Sequence, residues 1–258
     1  LQAGSVTFNV QTLVYADGSF EITLTDVTQA EKNRLLKQQM SHNITHELRT
    51  PVSSISGYLE TLLSCPNLNE EQRTRFLQKA HAQTLRLTDL IRDVALISKT
   101  EEAPELMPVE EIDIRQVVDE AAEEFSNPLE EAGIRFCSEL PELTIRGNYT
   151  LVHAIFRNLL ENAVRYAGHG VEVHVVCYSV TSEFAYFSFY DTGCGVEESH
   201  LPRLFERFYR VDRGRTRADG GTGLGLSILR NAVAFHRGPI SGRNRKEGGI
   251  VFRFSLHV

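Results

Sequence analysis

Three side chains within one helical turn, His46, Glu47 and Thr50, are spaced for chemistry with an outside partner. An imidazole is largely neutral and nucleophilic near neutral pH, and an adjacent carboxylate can fix its tautomer and stabilise positive charge growing on it. A surface histidine with no task would have the same neighbours. Farther along, Asn158, Asn162 and Arg165 recur one helical turn apart, which puts two amide oxygens and a guanidinium on one side of a helix. Such a side can hold a hydrated Mg²⁺ and a phosphate chain, because Mg²⁺ takes hard oxygen ligands and keeps several waters. An ordinary amphipathic helix also presents polar residues this way. Asp191-Thr-Gly193-Cys-Gly195 closes an apolar run. A carboxylate there can accept from an exocyclic amine while a flat ring lies on the glycines, and a plain turn has the same composition.

Gly220-Gly221-Thr222-Gly223-Leu224-Gly225-Leu226-Ser227 leads into a helical pattern. Its glycines let backbone N–H groups approach phosphate oxygens, and the helix N-terminus adds partial positive charge. It is not a P-loop, because no Lys follows, and it lacks the third glycine and leading strand of the dinucleotide fingerprint. The long stretch between the two glycine boxes contains Leu204-Phe205-Glu-Arg207-Phe208-Tyr-Arg210 and the cations Arg213, Arg215 and Arg217. Long irregular segments in compact domains are usually lids or binding loops, and these cations suit a triphosphate.

The elements that must position these groups follow from periodicity. Leu36, Met40, Ile44, Leu48, Val52, Ile55, Leu59 and Leu62 form one apolar stripe, so a long helix is expected over 29–64 with Thr28 and Glu31 as a capping box. His46 lies two residues from both Ile44 and Leu48, about 200° around the helix and away from the stripe. Pro51 removes a backbone donor, so a bend just after His46 is expected. Cys65-Pro-Asn-Leu-Asn69 breaks the helix, and a second stripe from Phe76 to Ile97 predicts an antiparallel hairpin. A hairpin alone leaves half its apolar surface bare, so a two-fold dimer forming a four-helix bundle is expected. Before it, residues 5–27 predict a β-hairpin around Asp17-Gly18, the end of a larger sheet. After it, two prolines and dense acid mark 101–111 as a linker. A helix at 113–132, strands at 134–139 and 143–146, a helix at 149–166, strands at 171–180 and 184–191, a helix at 223–236 and strands near 239–244 and 249–257 then predict helices on one face of a sheet. The fold class is therefore α+β and multidomain: a helical hairpin followed by an α/β sandwich.

With 258 residues, 41% of them hydrophobic, the chain can bury one large core or two modest ones. The net charge of −7 leaves no basic excess for nucleic acid. Cys65, Cys137, Cys177 and Cys194 have neither CxxC nor metal spacing, so free thiols in a reducing compartment are expected. No run of 18 apolar residues occurs.

His46-Glu-Leu-Arg-Thr-Pro, the Asn-rich helix, Asp-x-Gly-x-Gly, the Phe-containing segment and Gly-Gly-Thr-Gly-Leu-Gly-Leu stand together in an order and spacing that resembles the bacterial sensor histidine kinases. The resemblance covers roughly residues 29–258. It implies a dimerisation and phosphotransfer hairpin at 29–100 and, after the linker, an ATP-binding domain at 112–258 of the type shared with gyrase and chaperone ATPases. Residues 1–28 resemble the end of a PAS-like sensor. The resemblance further implies that His46 is the phospho-acceptor, that Glu47 polarises it, and that Thr50 serves in dephosphorylating a response regulator. Asn162 would be the Mg²⁺ ligand with Asn158 beside it, Arg165 and Tyr166 phosphate and base contacts, and Asp191 the acceptor for the adenine amine, with Gly193 and Gly195 opening the turn. Phe205 and Phe208 would anchor the lid, and Gly221, Thr222, Gly223, Leu224 and Gly225 would form the phosphate-side hinge. ATP and Mg²⁺ are the implied cofactors. A homodimer and a cognate response regulator are the implied partners, and a cytoplasmic location with membrane contact only through segments outside this chain is implied as well. Arg165 stands where Lys is frequent in the family.

Rival chemistries are weaker. Thr50 stands where a zinc protease motif needs its second His, and His42 with His46 lacks a third ligand. A gyrase- or chaperone-type hydrolase has no use for the histidine hairpin. A scaffold that has lost turnover would be expected to show a broken Asn, Asp or Gly box, and all are intact.

Overall fold

The computed structural model describes residues 2–65, 67–211 and 221–258, so Gly220, Arg213, Arg215 and Arg217 lie outside the described residues. The chain separates into two compact units, residues 1–80 and 81–258.

In the first unit, β1 (Gln2–Ala3), β2 (Val6–Val14) and β3 (Phe20–Asp26) form an antiparallel sheet in sequence order. The β2–β3 register runs from Phe8 opposite Asp26 to Val14 opposite Phe20. Gly18, at φ 82°, donates to the Tyr15 carbonyl, and Asp17 Oδ1 accepts from Ser19 N–H and Oγ, so the Asp-Gly signal marks the turn as expected. Asp26 then starts α1 (Thr28–Ser64): its Oδ1 accepts from Thr28 N–H at 2.9 Å and from Thr28 Oγ1 at 2.6 Å. The expected Thr28–Glu31 box does not form, because Thr28 is spent on Asp26 and on the N–H of Thr7, while Glu31 pairs with Arg34.

Helix α1 is assigned without interruption through Pro51, which is its one buried residue. Its half-buried side runs through Met40, Ile44, Leu48, Ile55, Tyr58 and Leu62, whereas Leu36, Val52 and Leu59 remain exposed. The stripe is thus rotated slightly from the simplest reading, with Tyr58 and Pro51 inside it. Helix α2 (Glu70–Glu102) opens with a capping box that sequence reading missed: Asn69 Oδ1 accepts from Gln72 N–H, and Gln72 Oε1 accepts from Asn69 N–H. Tyr58 meets Phe76 across the hairpin, ring centroids 6.0 Å apart. The division between the units falls inside α2, after Ala80.

In the second unit, the stretch expected to be a linker carries regular structure. Helix α2 continues to Glu102, a 3-10 turn covers Pro104–Leu106, and β4 (Glu110–Asp113) pairs with β6 (Thr144–Gly147). The long helix expected at 113–132 is two, α3 (Ile114–Glu124) and α4 (Ser126–Glu131), with Phe125 between them. Pro128 fits the break, since it has no N–H to give the Glu124 carbonyl and its ring crowds that turn. Next come β5 (Arg135–Glu139), α5 (Tyr149–Tyr166), β7 (Glu172–Val180), β8 (Phe184–Asp191), α6 (Gly225–Phe235), β9 (Ile240–Asn244) and β10 (Ile250–His257).

The main sheet has the order β5-β7-β8-β10-β9, with β5 and β7 parallel and the other pairs antiparallel. Its inner face alternates strictly along β8, where Ala185, Phe187, Phe189 and Asp191 are buried. Ala185, Phe187 and Phe189 join Leu151, Ile155, Phe156 and Leu159 of α5 and Leu229 and Val233 of α6 in one core. Burial of such side chains contributes about 1.5–3 kcal/mol each, and Phe156 lies edge-on to both Phe187 and Phe254. Helix α5 starts where Asn148 caps Leu151 N–H, and His236 Nε2 accepts from Asn148 N–H at 3.1 Å. Burial lowers the His236 pKa, which favours the neutral ring this bond needs. Asp191 is the fourth inward position of β8, so core alternation itself carries a carboxylate to the sheet end.

Candidate functional site

The two groups of chemistry-bearing residues fall in different units. In the first unit, the His46 side chain is 55% exposed and its Nδ1 is 3.8 Å from Glu47 Oε1. That distance is an ion-pair contact rather than a hydrogen bond. Because Nδ1 faces Glu47, Nε2 is the nitrogen left for an outside partner. Thr50 Oγ1 donates to the His46 carbonyl at 3.3 Å, which ties its side chain to the same turn. Among the described residues no group of three His, Cys, Asp or Glu could hold a metal ion.

In the second unit a cavity of about 350 Å³ opens between α5, the end of β8 and the start of α6. Asn158, Asn162, Arg165 and Tyr166 line it from α5, Asp191 and Gly195 from the sheet end, and Gly221, Thr222, Gly223 and Gly225 from the Gly-rich turn. Phe189, Phe252 and Ile250 supply an apolar floor. Its size and its mixture of apolar wall and few polar groups suit a small organic ligand.

Asp191 is 5% exposed, and its Oδ1 accepts from Gly193 N–H at 2.9 Å and Ile250 N–H at 3.4 Å. Burial raises its pKa, while these N–H groups and Arg245 pull the other way. Among the described residues its second oxygen has no hydrogen-bond partner. Gly249, at φ 84°, is required here, because a Cβ would collide with the Asp191 backbone and carboxylate. Asn158 is 3% exposed and donates through Nδ2 to the Ala154 carbonyl. Its Oδ1 lies 2.5 Å from where a Cβ on Gly225 would stand, so only glycine lets α6 start against this amide. The Asn162 side chain makes no hydrogen bond among the described residues. Arg165 Nη2 donates to Glu161 Oε1 at 2.7 Å.

Gly193 acts from behind the wall through its N–H, and Leu224 is fully buried just before α6. Phe205 and Phe208 do not line the cavity. Phe205 packs on Phe252, and Phe208 adopts φ 60° with its N–H donating to the Gly223 carbonyl at 2.8 Å. Leu204, Tyr209 and Arg210 from the same segment line the wall instead. Sequence reading also missed Asn244, whose amide clamps Val196 through both N–H and carbonyl, and Arg245, which donates to the Asp191 carbonyl. Nothing in the local sequence around Asn244 marks it, since its role comes from strand β9 lying at the sheet edge.

Comparison with known proteins also places His46 and the cavity residues in different domains, although the first of these runs past the boundary between the two units. Residues 36–103 match the His Kinase A (phospho-acceptor) domain, and residues 147–258 match the histidine kinase-, DNA gyrase B-, and HSP90-like ATPase family. The phosphate regulon sensor protein PhoR of Pseudomonas aeruginosa is 33% identical over 230 residues, covering 87% of this chain and 51% of PhoR. Sensor-like histidine kinase SenX3 of Mycolicibacterium smegmatis is 30% identical over 255 residues, covering 98% of this chain and 66% of SenX3. The chain therefore spans about half to two thirds of these relatives. Histidine kinase ThkA, solved in complex with response regulator protein TrrA, shares the fold with a TM-score of 0.66 at 21% identity, over 100% of this chain and 77% of ThkA. With both family models matched in this order and relatives aligned across nearly its whole length, the chain belongs to the bacterial two-component sensor histidine kinases.

Proposed function

We propose that this chain is an ATP-dependent protein-histidine kinase core that phosphorylates its own His46 and passes the phosphoryl group to a response-regulator aspartate. The observation that carries the reading is the meeting of Asn162, Tyr166, Asp191 and Thr222, from three separated motifs, around one cavity. The unpaired oxygen of Asp191 accepts from the adenine amine, and the apolar floor takes the ring. The Gly221–Gly225 turn and the start of α6 face the phosphates with backbone N–H groups. Arg165 reaches a phosphate by exchanging its contact with Glu161. The donor chemistry fits Mg²⁺: Asn162 offers a neutral amide oxygen and room for metal-bound water, with Asn158 one turn earlier. When bound, Mg²⁺ neutralises charge on the β- and γ-phosphates. The described part of the lid segment contributes Tyr209 and Arg210, and Phe205 and Phe208 anchor it from behind.

At the acceptor, Glu47 closes on Nδ1–H and holds that proton, so the Nε2 lone pair attacks the γ-phosphorus in line. The bond to the bridging oxygen breaks, ADP leaves with its electron pair, and the positive charge on the phosphorylated ring is stabilised by Glu47. A regulator carboxylate then attacks the phosphorus, the P–N bond breaks and the His46 imidazole leaves with its electron pair, and in a separate reaction Thr50 orients the water that hydrolyses the regulator's phospho-aspartate. The ThkA complex is with a response regulator, which is the partner class proposed here. The exposed Val52, Leu59, Leu63 and Leu77 call for a second copy of the hairpin, giving a homodimeric bundle. We divide the chain into a PAS-like tail at 1–28, a hairpin at 29–100, a joint at 101–111 and the ATP-binding domain at 112–258. Use of ATP places the reaction in the cytoplasm, and among the described residues no helix is long and apolar enough to cross a membrane.

Incubation with Mg-ATP labelled on the γ-phosphate tests this reading. The protein should acquire acid-labile, alkali-stable label that maps to His46. Label at any other residue, or none with nucleotide bound, would refute it.

A further inference from the structure

The second half of α2 touches the parts of the ATP-binding module that surround the nucleotide cavity. Leu90 and Ile97 are buried, and Asp93, between them, is 8% exposed with its Oδ2 accepting from Thr222 Oγ1 at 3.2 Å. One helical turn before it, Asp89 stands 3.6 Å from Arg157 Nη2. Two turns after it, Glu101 accepts from Asn231 Nδ2 of α6 at 3.2 Å and pairs with Arg207 of the Phe-containing segment. A cleft of about 300 Å³ runs between Asp89 and Asp93 on α2 and Arg157 on α5, and its walls share Glu161, Arg165 and Thr222 with the nucleotide cavity.

Thr222 is therefore committed twice. Its hydroxyl hydrogen goes to Asp93, and its oxygen accepts from Leu224 N–H at the start of α6. A hydroxyl donates one hydrogen only, so Thr222 cannot donate to a phosphate while it donates to Asp93. Glu101 likewise occupies Arg207, a cation of the segment that flanks the cavity.

We propose that Asp93 is an inhibitory clasp that ties the Gly-rich turn to α2 through Thr222, so that α2 and the phosphate end of the nucleotide compete for this turn. The proposal rests on the nucleotide reading of the cavity and adds a control to it. With the clasp closed the ATP-binding module is held on α2, and with it open the module is released to deliver its phosphoryl group. Asp93 faces Asp89 and Arg86 on its own helix, Arg157, Glu161 and Arg165 on α5, and Thr222. Burial first, then Glu161 and Asp89, push its carboxyl up to about 6, against the opposing pull of Arg157 and Thr222. The sign follows from linkage. The clasped carboxyl lies above the 3.8 of an ordinary aspartate, so the clasped state takes up a proton more readily than the released state. Acid closes the clasp and neutral pH loosens it, by roughly tenfold between pH 5 and pH 7.

The test compares the whole chain with Asp93→Ala and Asp93→Asn. Asp93→Ala should bind Mg-ATP about three- to tenfold more tightly, label His46 faster by a similar factor, and lose the acid inhibition of labelling. Asp93→Asn keeps the shape and an acceptor without charge, so it should label more slowly than wild type at pH 7 and show a flat profile between pH 5 and 7. Asp93→Ala that binds and labels no better than wild type, or Asp93→Asn with the wild-type pH profile, would overturn the clasp. Wild-type protein that binds no nucleotide would instead refute the underlying reading, and Asp93→Ala with tightened binding and faster label on a residue other than His46 would uphold the clasp while moving the acceptor.

Discussion

His46 and Asp191 sit in opposite surroundings. His46 is more than half exposed, and its chemical neighbours Glu47 and Thr50 come from its own helical turn. Asp191 is almost fully buried, and beside Gly193 of its own turn its neighbours Arg245 and Ile250 come from the β9–β10 hairpin more than 50 residues away. In the proposed reading His46 is an acceptor that meets partners that come and go, so it needs an accessible nitrogen and little else. In the same reading Asp191 recognises a ring edge against water, which requires a desolvated carboxylate, and a desolvated carboxylate requires backbone donors fixed by tertiary structure. Changes in the first region should therefore affect rate, and changes in the second should affect binding and stability.

The sharpest separation should come from Glu47→Gln, which keeps shape and removes the charge that stabilises the phosphorylated ring. Labelling should slow by about 10²-fold or more while nucleotide affinity, measured by calorimetry, stays within about twofold. Asp191→Ala should do the reverse, lowering nucleotide affinity roughly 30- to 100-fold and lowering labelling only through lost occupancy. Because burial raises the Asp191 pKa, acid should protonate it earlier than a surface aspartate, and affinity should decline on the acid side with it. Gly249→Ala should destabilise the second unit by about 1–3 kcal/mol, seen as a lower Tm, because its left-handed backbone and the Asp191 backbone leave no space for a methyl group. The smallest effect should come from Asn69→Ala, which removes the α2 cap at a cost of about 1 kcal/mol and leaves nucleotide affinity unchanged.

The contrast also explains what sequence could tell. His46, Glu47 and Thr50 are legible because helical periodicity alone sets which way a side chain faces. Helix α5 could be bounded correctly, since its apolar face is continuous and Asn148 precedes it as a cap. Strand β8 is visible through strict alternation, and Asp191 falls in its inward phase. The clamp by Asn244 was invisible, because it acts across the end of β9 on residues 48 positions away. Strand β4 was hidden in an acidic stretch and exists only by pairing with β6. Phe205 and Phe208 stand out in the sequence, but that Leu204 and Tyr209 line the cavity while Phe205 packs on Phe252 depends on a segment with no periodicity. The Asp93–Thr222 contact joins residues 129 apart, and no local pattern announces it.

One titration tests the whole account. His46→Gln protein is incubated with γ-labelled Mg-ATP at rising concentration, and bound nucleotide and covalent label are read from the same samples. The account predicts a binding curve within about twofold of wild type and no acid-labile label at any occupancy. Label that persists, or binding that vanishes with the histidine, would contradict it.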